Sequence, residues 1–167
     1  MHETMTDIKM LEEQRNARKK AMRILERMDR TEKSLKDKLK QSGFSEEAAE
    51  DAAEYMKEFG YIDDFRYAEN YILSRIHEKS KQRIMQELYQ KGVCRAVAAE
   101  AWESICELEQ PDERQMLRRA VEKKYPPGTE IDEKEMRRLY GYLARRGFRA
   151  EDIVSVIEVM NIRVPFE

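Results

Sequence analysis

Turn formers are scarce in this sequence, with 4 prolines and 6 glycines among 167 residues. Aromatics make up only 8%, against 40% charged residues. That balance is the composition of an all-helical chain with large solvated faces. Disorder would share the high charge, but the apolar residues recur too regularly for it. Cysteine is nearly absent as well. Cys94 and Cys106 lack the paired spacing of a zinc site, and two thiols in so reduced a chain point to the cytoplasm. No apolar run approaches the roughly 20 residues of a membrane span, and the N-terminus carries no apolar signal core. A soluble protein that binds no membrane is expected.

Catalytic equipment is missing too. There is no glycine-rich phosphate loop and no HExxH. Of the 2 histidines, His2 sits near the terminus and His77 late in a helical stretch with no nucleophile at motif spacing. The Asp63–Asp64 pair follows Gly60 and precedes an apolar helix, so it reads as capping rather than acid–base chemistry. Tyr67, Tyr71 and Tyr89 read as core-edge residues before base-stacking ones. No catalytic, metal or cofactor residue is assigned.

What is present is a repeat. An apolar residue, a Leu four positions on, a Gly four further and an apolar residue after it occur three times. The copies are Leu35–Leu39–Gly43–Phe44, Ile84–Leu88–Gly92–Val93 and Leu139–Leu143–Gly147–Phe148. Residues four apart share a helix face, and a Gly beyond them ends the helix in the left-handed conformation. Spacings near fifty residues mark a tandem array.

Capping signals fill in the rest. Thr31, Ser45, Ser80 and Asp132 with Glu135 open helices. Ala48, Ala52, Tyr55, Met56 and Phe59 form one helical face, and Ile153, Val154, Ile157 and Met160 another. Pro111 and Pro126-Pro127-Gly128 mark breaks. The expected layout is a polar extension over 1–14, then three-helix repeats over 15–62, 63–110 and 111–167. Stacked in series, they predict an all-α, elongated and curved array.

Charge is segregated within a net of only −2. Between Phe44 and Asp64 there are eight acids and one base. From Arg114 to Arg149 there are eleven bases and five acids. The first two helices of each repeat are basic and the third acidic or neutral, which predicts a positive stripe suited to phosphate or to an acidic protein groove. A helix-turn-helix reader of duplex DNA is disfavoured, because the helix that would enter the major groove begins Ser45-Glu46-Glu47.

The residues Gly60-Tyr61-Ile62-Asp63-Asp64, Arg66-Tyr67-Ala68, Arg83-Ile84, Glu87-Leu88 and Lys91-Gly92-Val93 resemble the RecX family of RecA regulators. Thr31-Glu32 through Gly43-Phe44-Ser45 fits as well, as does Arg137-Arg138-Leu139 through Leu143-Ala144-Arg145-Arg146-Gly147-Phe148. The likeness runs from Arg15 to Met160 and matches three units in order. It implies a non-catalytic modular protein, working in DNA repair, recombination and the SOS response. Such a protein binds the RecA–single-stranded DNA filament and restrains RecA's ATPase and strand-exchange activity. Direct contact with single-stranded DNA would suit the basic positions.

The chain departs from the family at His77-Glu78-Lys79-Ser80, where members often carry a glycine turn. Gly141 is also unusual, since Gly inside a helix costs about 1 kcal/mol relative to Ala. The residues expected to meet the filament or DNA are Arg75, Lys79, Lys81 and Arg83 in the second repeat. In the third they are Arg118, Arg119, Arg137, Arg138, Arg145 and Arg146. A monomer is expected, with a generic helical-repeat adaptor for an acidic protein as the alternative.

Overall fold

The computed structural model describes residues 4–166, so His2 lies outside the described residues. Nine helices follow one another among them: α1 (Met5–Arg27), α2 (Glu32–Gln41), α3 (Glu46–Glu58), α4 (Asp64–Arg75), α5 (Lys81–Gln90), α6 (Arg95–Glu109), α7 (Glu113–Glu122), α8 (Glu133–Arg145) and α9 (Ala150–Val159). They form three tandem three-helix repeats, as the periodicity predicts. The described residues contain no strand, and Glu130 and Arg163 make one isolated bridge. The helix α1 starts at Met5, ten residues before the expected start of the first repeat at 15. Thr4 and Asp7 close a capping box there, so much of the stretch read as an extension is helical.

Each repeated Leu–Gly–apolar motif ends its helix in the same way. Phe44, Val93 and Phe148 donate their backbone N–H to Leu39, Leu88 and Leu143 at 3.2, 3.0 and 3.3 Å. Gly43, Gly92 and Gly147 sit between, with φ of 96°, 95° and 88°. This six-to-one closure around a left-handed residue satisfies carbonyls that the helix end would otherwise strand.

The chain gathers into two compact units, one of Met1–Asn70 with Leu88–Trp102 and the other of Tyr71–Glu87 with Glu103–Glu167. The division passes through the middle repeat.

In the first unit, α1 turns Ala17 and Ala21 inward, and α3 turns in Ala48, Ala49, Ala52 and Ala53. Small side chains on both helices permit close packing. Leu35, Leu39, Met56 and Ile62 complete the core. Arg18 clasps Asp51 in a two-pronged pair at 2.8 and 2.9 Å and tethers α1 to α3. Successive repeats are joined at the start of α2. The Thr31 hydroxyl accepts from Ser34 N–H and donates to the Lys91 carbonyl at 2.6 Å. Next to it, the Asp64 carboxylate accepts from Glu32 N–H at 2.9 Å.

The second unit repeats this junction. The Ser80 hydroxyl accepts from Arg83 N–H and donates to the Gly147 carbonyl at 2.7 Å. The Glu113 carboxylate accepts from Lys81 N–H at 2.7 Å. Ser80 therefore gives the His77–Ser80 connection its path without a glycine. Its core runs through Leu117, Val121, Leu139, Leu143, Phe148, Ile153, Ile157 and Met160. Val154, expected on the inward face of α9, is 40% exposed, because the buried stripe is Ile153, Val156 and Ile157. The start of α8 is closed by a box between Asp132 and Glu135.

Candidate functional site

The ten cations singled out above all fall in the second unit. The structure sorts them by what they touch. Three surround internal groups. The Arg75 guanidinium lies 3.7 Å from the centre of the Tyr71 ring and donates to Ser74 Oγ at 2.6 Å. Lys79 and Arg83 both reach Glu87, at 2.8 and 3.1 Å. Tyr71 OH donates to the same carboxylate at 2.6 Å. Burial alone would raise the Glu87 carboxyl. The hydrogen bonds from Lys79 and Tyr71, with the charges of Lys79 and Arg83, outweigh it and hold the group below its ordinary range. This network ties α4 to α5, and it accounts for Tyr71 as a core-edge residue.

On α7, Arg118 pairs with Glu122 at 3.0 Å one turn on, and Arg119 is exposed. Arg146 donates to the Glu78 carbonyl at 3.3 Å and lies 4.6 Å from the Tyr142 ring centre, which Lys124 also approaches at 4.3 Å. Lys81 is exposed, with its backbone N–H held by Glu113.

The remaining residues of the set converge. Arg137, Arg138 and Arg145 line a groove of about 580 Å³ along α8, together with Lys134 and Gly141. No acid lines it. The side chains of Lys134, Arg138 and Arg145 make no hydrogen bond or ion pair among the described residues, and that of Arg137 reaches only the Glu133 carbonyl, at 3.4 Å. Arg145 also borders a cleft of about 330 Å³ with Arg83, Gln82, Gln86 and Gly147. Thus one guanidinium adjoins cations from α5 and α8. Arg75, Lys79, Lys81, Arg118 and Arg119 line neither depression.

Sequence reading missed Lys134, Gln82 and Gln86. The signal for Lys134 was there, since 134, 137, 138, 141 and 145 fall on one face of a helix. For Gly141 the structure supplies a reason that spacing could not. A Cβ on Gly141 would meet Arg145 Nη1 at 3.1 Å, so the missing side chain leaves room for that guanidinium to lie back along α8.

Models of the first, second and third three-helix domains of RecX match residues 17–56, 63–101 and 112–157. The chain belongs to the RecX family. Regulatory protein RecX of Caldanaerobacter subterraneus is 35% identical over 88% of this chain and 72% of its own. That of Clostridium beijerinckii is 30% identical over 86% and 68%. The crystal structure of RecX from Lactobacillus salivarius superposes with a TM-score of 0.68 at 19% identity, covering 90% of this chain and 98% of that one. A second crystal structure of a regulatory protein RecX gives 0.72 at 21%, covering 96% and 80%. These RecX structures share the all-helical fold. No helix among the described residues is long and apolar enough to cross a membrane.

Proposed function

We propose that this RecX-family chain binds the RecA–single-stranded DNA filament and restrains RecA's ATPase and strand-exchange activity, without chemistry of its own. Three successive RecX domains carry this reading, because a binding array needs the repeats in order and the family's relatives are named as regulatory proteins. The cations that no acid neutralises, on α8, supply an attractive surface for a polyanionic filament.

Mechanistically, an array anchored at several points along a filament bridges neighbouring protomers. Bridging opposes the subunit rearrangements that accompany ATP hydrolysis. Each exposed ion pair contributes little by itself, about 0–1 kcal/mol, so the effect is spread over the row of contacts. The protein acts as a monomer in this scheme. The test is RecA's DNA-dependent ATPase with increasing amounts of the chain, where the rate falls with stoichiometry if the reading holds.

A further inference from the structure

Single apolar side chains scattered over a protein surface are ordinary. A row of them along one helix face is not. The outer face of α1 carries such a row. Ala17 is the first buried residue of that helix, so the stretch 5–16 adds nothing to the core. Glu13 ties it to the start of α3, where its carboxylate accepts from Ser45 N–H at 2.7 Å. Met5, Ile8 and Leu11 in that stretch are exposed at 76, 52 and 53%. A helical segment this short is marginal in water unless something covers a face of it.

Positions 8, 11, 15, 18 and 22 follow one another at spacings of three and four, the pattern of a coiled-coil seam. The seam runs on the side of α1 away from Ala17 and Ala21. Beside it, α1 and α3 enclose a groove of about 600 Å³, which Leu11, Met22, Tyr55 and Met56 line with apolar surface. Arg18 is already fixed in its wall. Asp51 holds the guanidinium, which lies 4.3 Å from the centre of the Tyr55 ring. Phe59 extends the apolar surface, 4.7 Å from Tyr55 and 60% exposed.

The charges along α1 name the occupant. From Met5 to Gln14 there are three acids and one base, and from Arg15 to Arg27 six bases and one acid. A helix with an acidic first half, a basic second half and an apolar outer face complements a second copy of itself laid antiparallel. A parallel copy would set like charge against like. The side chains of Glu12 and Lys19 are exposed and make no hydrogen bond or ion pair among the described residues.

We propose that two copies of the chain pair through their α1 helices, antiparallel about a two-fold axis that passes between Arg15 and Arg18. Leu11 of each copy packs on Met22 of the other at the mouth of its groove, and Glu12 of each meets Lys19 of the other. Such an interface uses the same patch twice and closes at two copies. The arginines in the middle of the seam set the register at a cost in stability, so the pair is one that dilution separates. It does not rest on the filament reading. The pair is the state of the free chain, and the binding scheme above draws single chains from it.

The test is sedimentation equilibrium of the full chain over a series of concentrations. The mean mass should climb from the 20.0 kDa of one chain towards twice that value. Ile8→Gln/Leu11→Gln alters two exposed positions and leaves the core alone. It should raise the dissociation constant of the pair by about tenfold or more, because two apolar side chains lose their cover. The mass of one chain at every concentration overturns the proposal, and so does a pair that this variant leaves unchanged.

Charge exchange separates the antiparallel pair from any other contact. Glu12→Lys alone and Lys19→Glu alone each set like charges together at both ends of the interface, and each should weaken pairing by about threefold or more. Mixed in equal amounts, each variant supplies the sign that the other lacks, so the mixture should pair about as well as the wild type. A mixture that sediments no heavier than either variant alone overturns the proposal. So does a chain that stays single yet pellets with anionic phospholipid vesicles, which gives the face to a membrane surface.

Discussion

The Ser80 hydroxyl donates to the Gly147 carbonyl at 2.7 Å, across 67 residues of sequence. In the first unit the Thr31 hydroxyl donates to the Lys91 carbonyl at 2.6 Å, one residue before the matching glycine, Gly92. In both, a hydroxyl that caps the middle helix of one repeat also holds the last turn of the middle helix in the next. Both residues are buried, at 1% for Thr31 and 2% for Ser80. The junction between repeats is thus built from the same groups that start and stop the helices.

Thr31→Ala and Ser80→Ala each remove a cap and the hydrogen bond that joins two repeats. A lost cap costs about 1 kcal/mol and a lost hydrogen bond about 0.5–1.5 kcal/mol. Each variant should therefore lose about 1.5–2.5 kcal/mol in urea denaturation. Ser45→Ala, which gives up only the cap on Ala48 N–H, should lose about 1 kcal/mol.

The repeated glycines make a second prediction. A Cβ on Gly92 would lie 2.5 Å from Lys33 Cβ, and one on Gly147 2.5 Å from Arg83 Cβ and Ser80 Oγ. At Gly43 nothing lies within 4 Å. Gly43→Ala meets only the left-handed backbone, at about 1–2 kcal/mol. Gly92→Ala and Gly147→Ala add a clash and should cost about 1–3 kcal/mol more by the same measurement.

These junctions show where sequence reading stops. The helices were legible because apolar residues four apart and a terminal Gly or cap hydroxyl are local features. So were Thr31, Ser45, Ser80 and the Asp132–Glu135 box as caps. Asp63 and Asp64 were read alike, yet Asp63 caps its own helix through Arg66 N–H while Asp64 caps α2 of the preceding repeat. No spacing rule distinguishes them, since the second role exists only once the repeats are packed. Arg75, Lys79 and Arg83 illustrate the same limit. A count of positive charge shows them as available, and only the fold reveals Glu87 and Tyr71 among them.

Glu87 predicts a pH dependence. Its carboxyl is held below the ordinary glutamate value of 4.5 in the folded chain. The unfolded chain then binds the proton more readily, so the network's stabilisation is full above about pH 4.5 and fades as pH falls through the folded value. Glu87→Gln should lower stability at pH 7 and flatten the loss between pH 5 and the acid limb. Equal pH slopes for the two proteins, read by denaturant midpoints, would argue against it.

The two kinds of cation should also separate in stability. Arg138→Gln and Arg145→Gln, which break no side-chain hydrogen bond or ion pair among the described residues, should stay within about 0.5 kcal/mol of the wild type. Lys79→Gln and Arg83→Gln each unsettle the Glu87 carboxylate and should lose about 1 kcal/mol by urea denaturation.

The most direct measurement is the rate of ATP hydrolysis by RecA on single-stranded DNA as the chain is added. The rate should decline steadily as the chain approaches a fixed ratio to RecA, and a variant with Lys134, Arg137, Arg138 and Arg145 of α8 all changed to Gln should need several times more protein for the same decline. A rate that stays level at every ratio, with the chain folded and RecA active, would contradict the account.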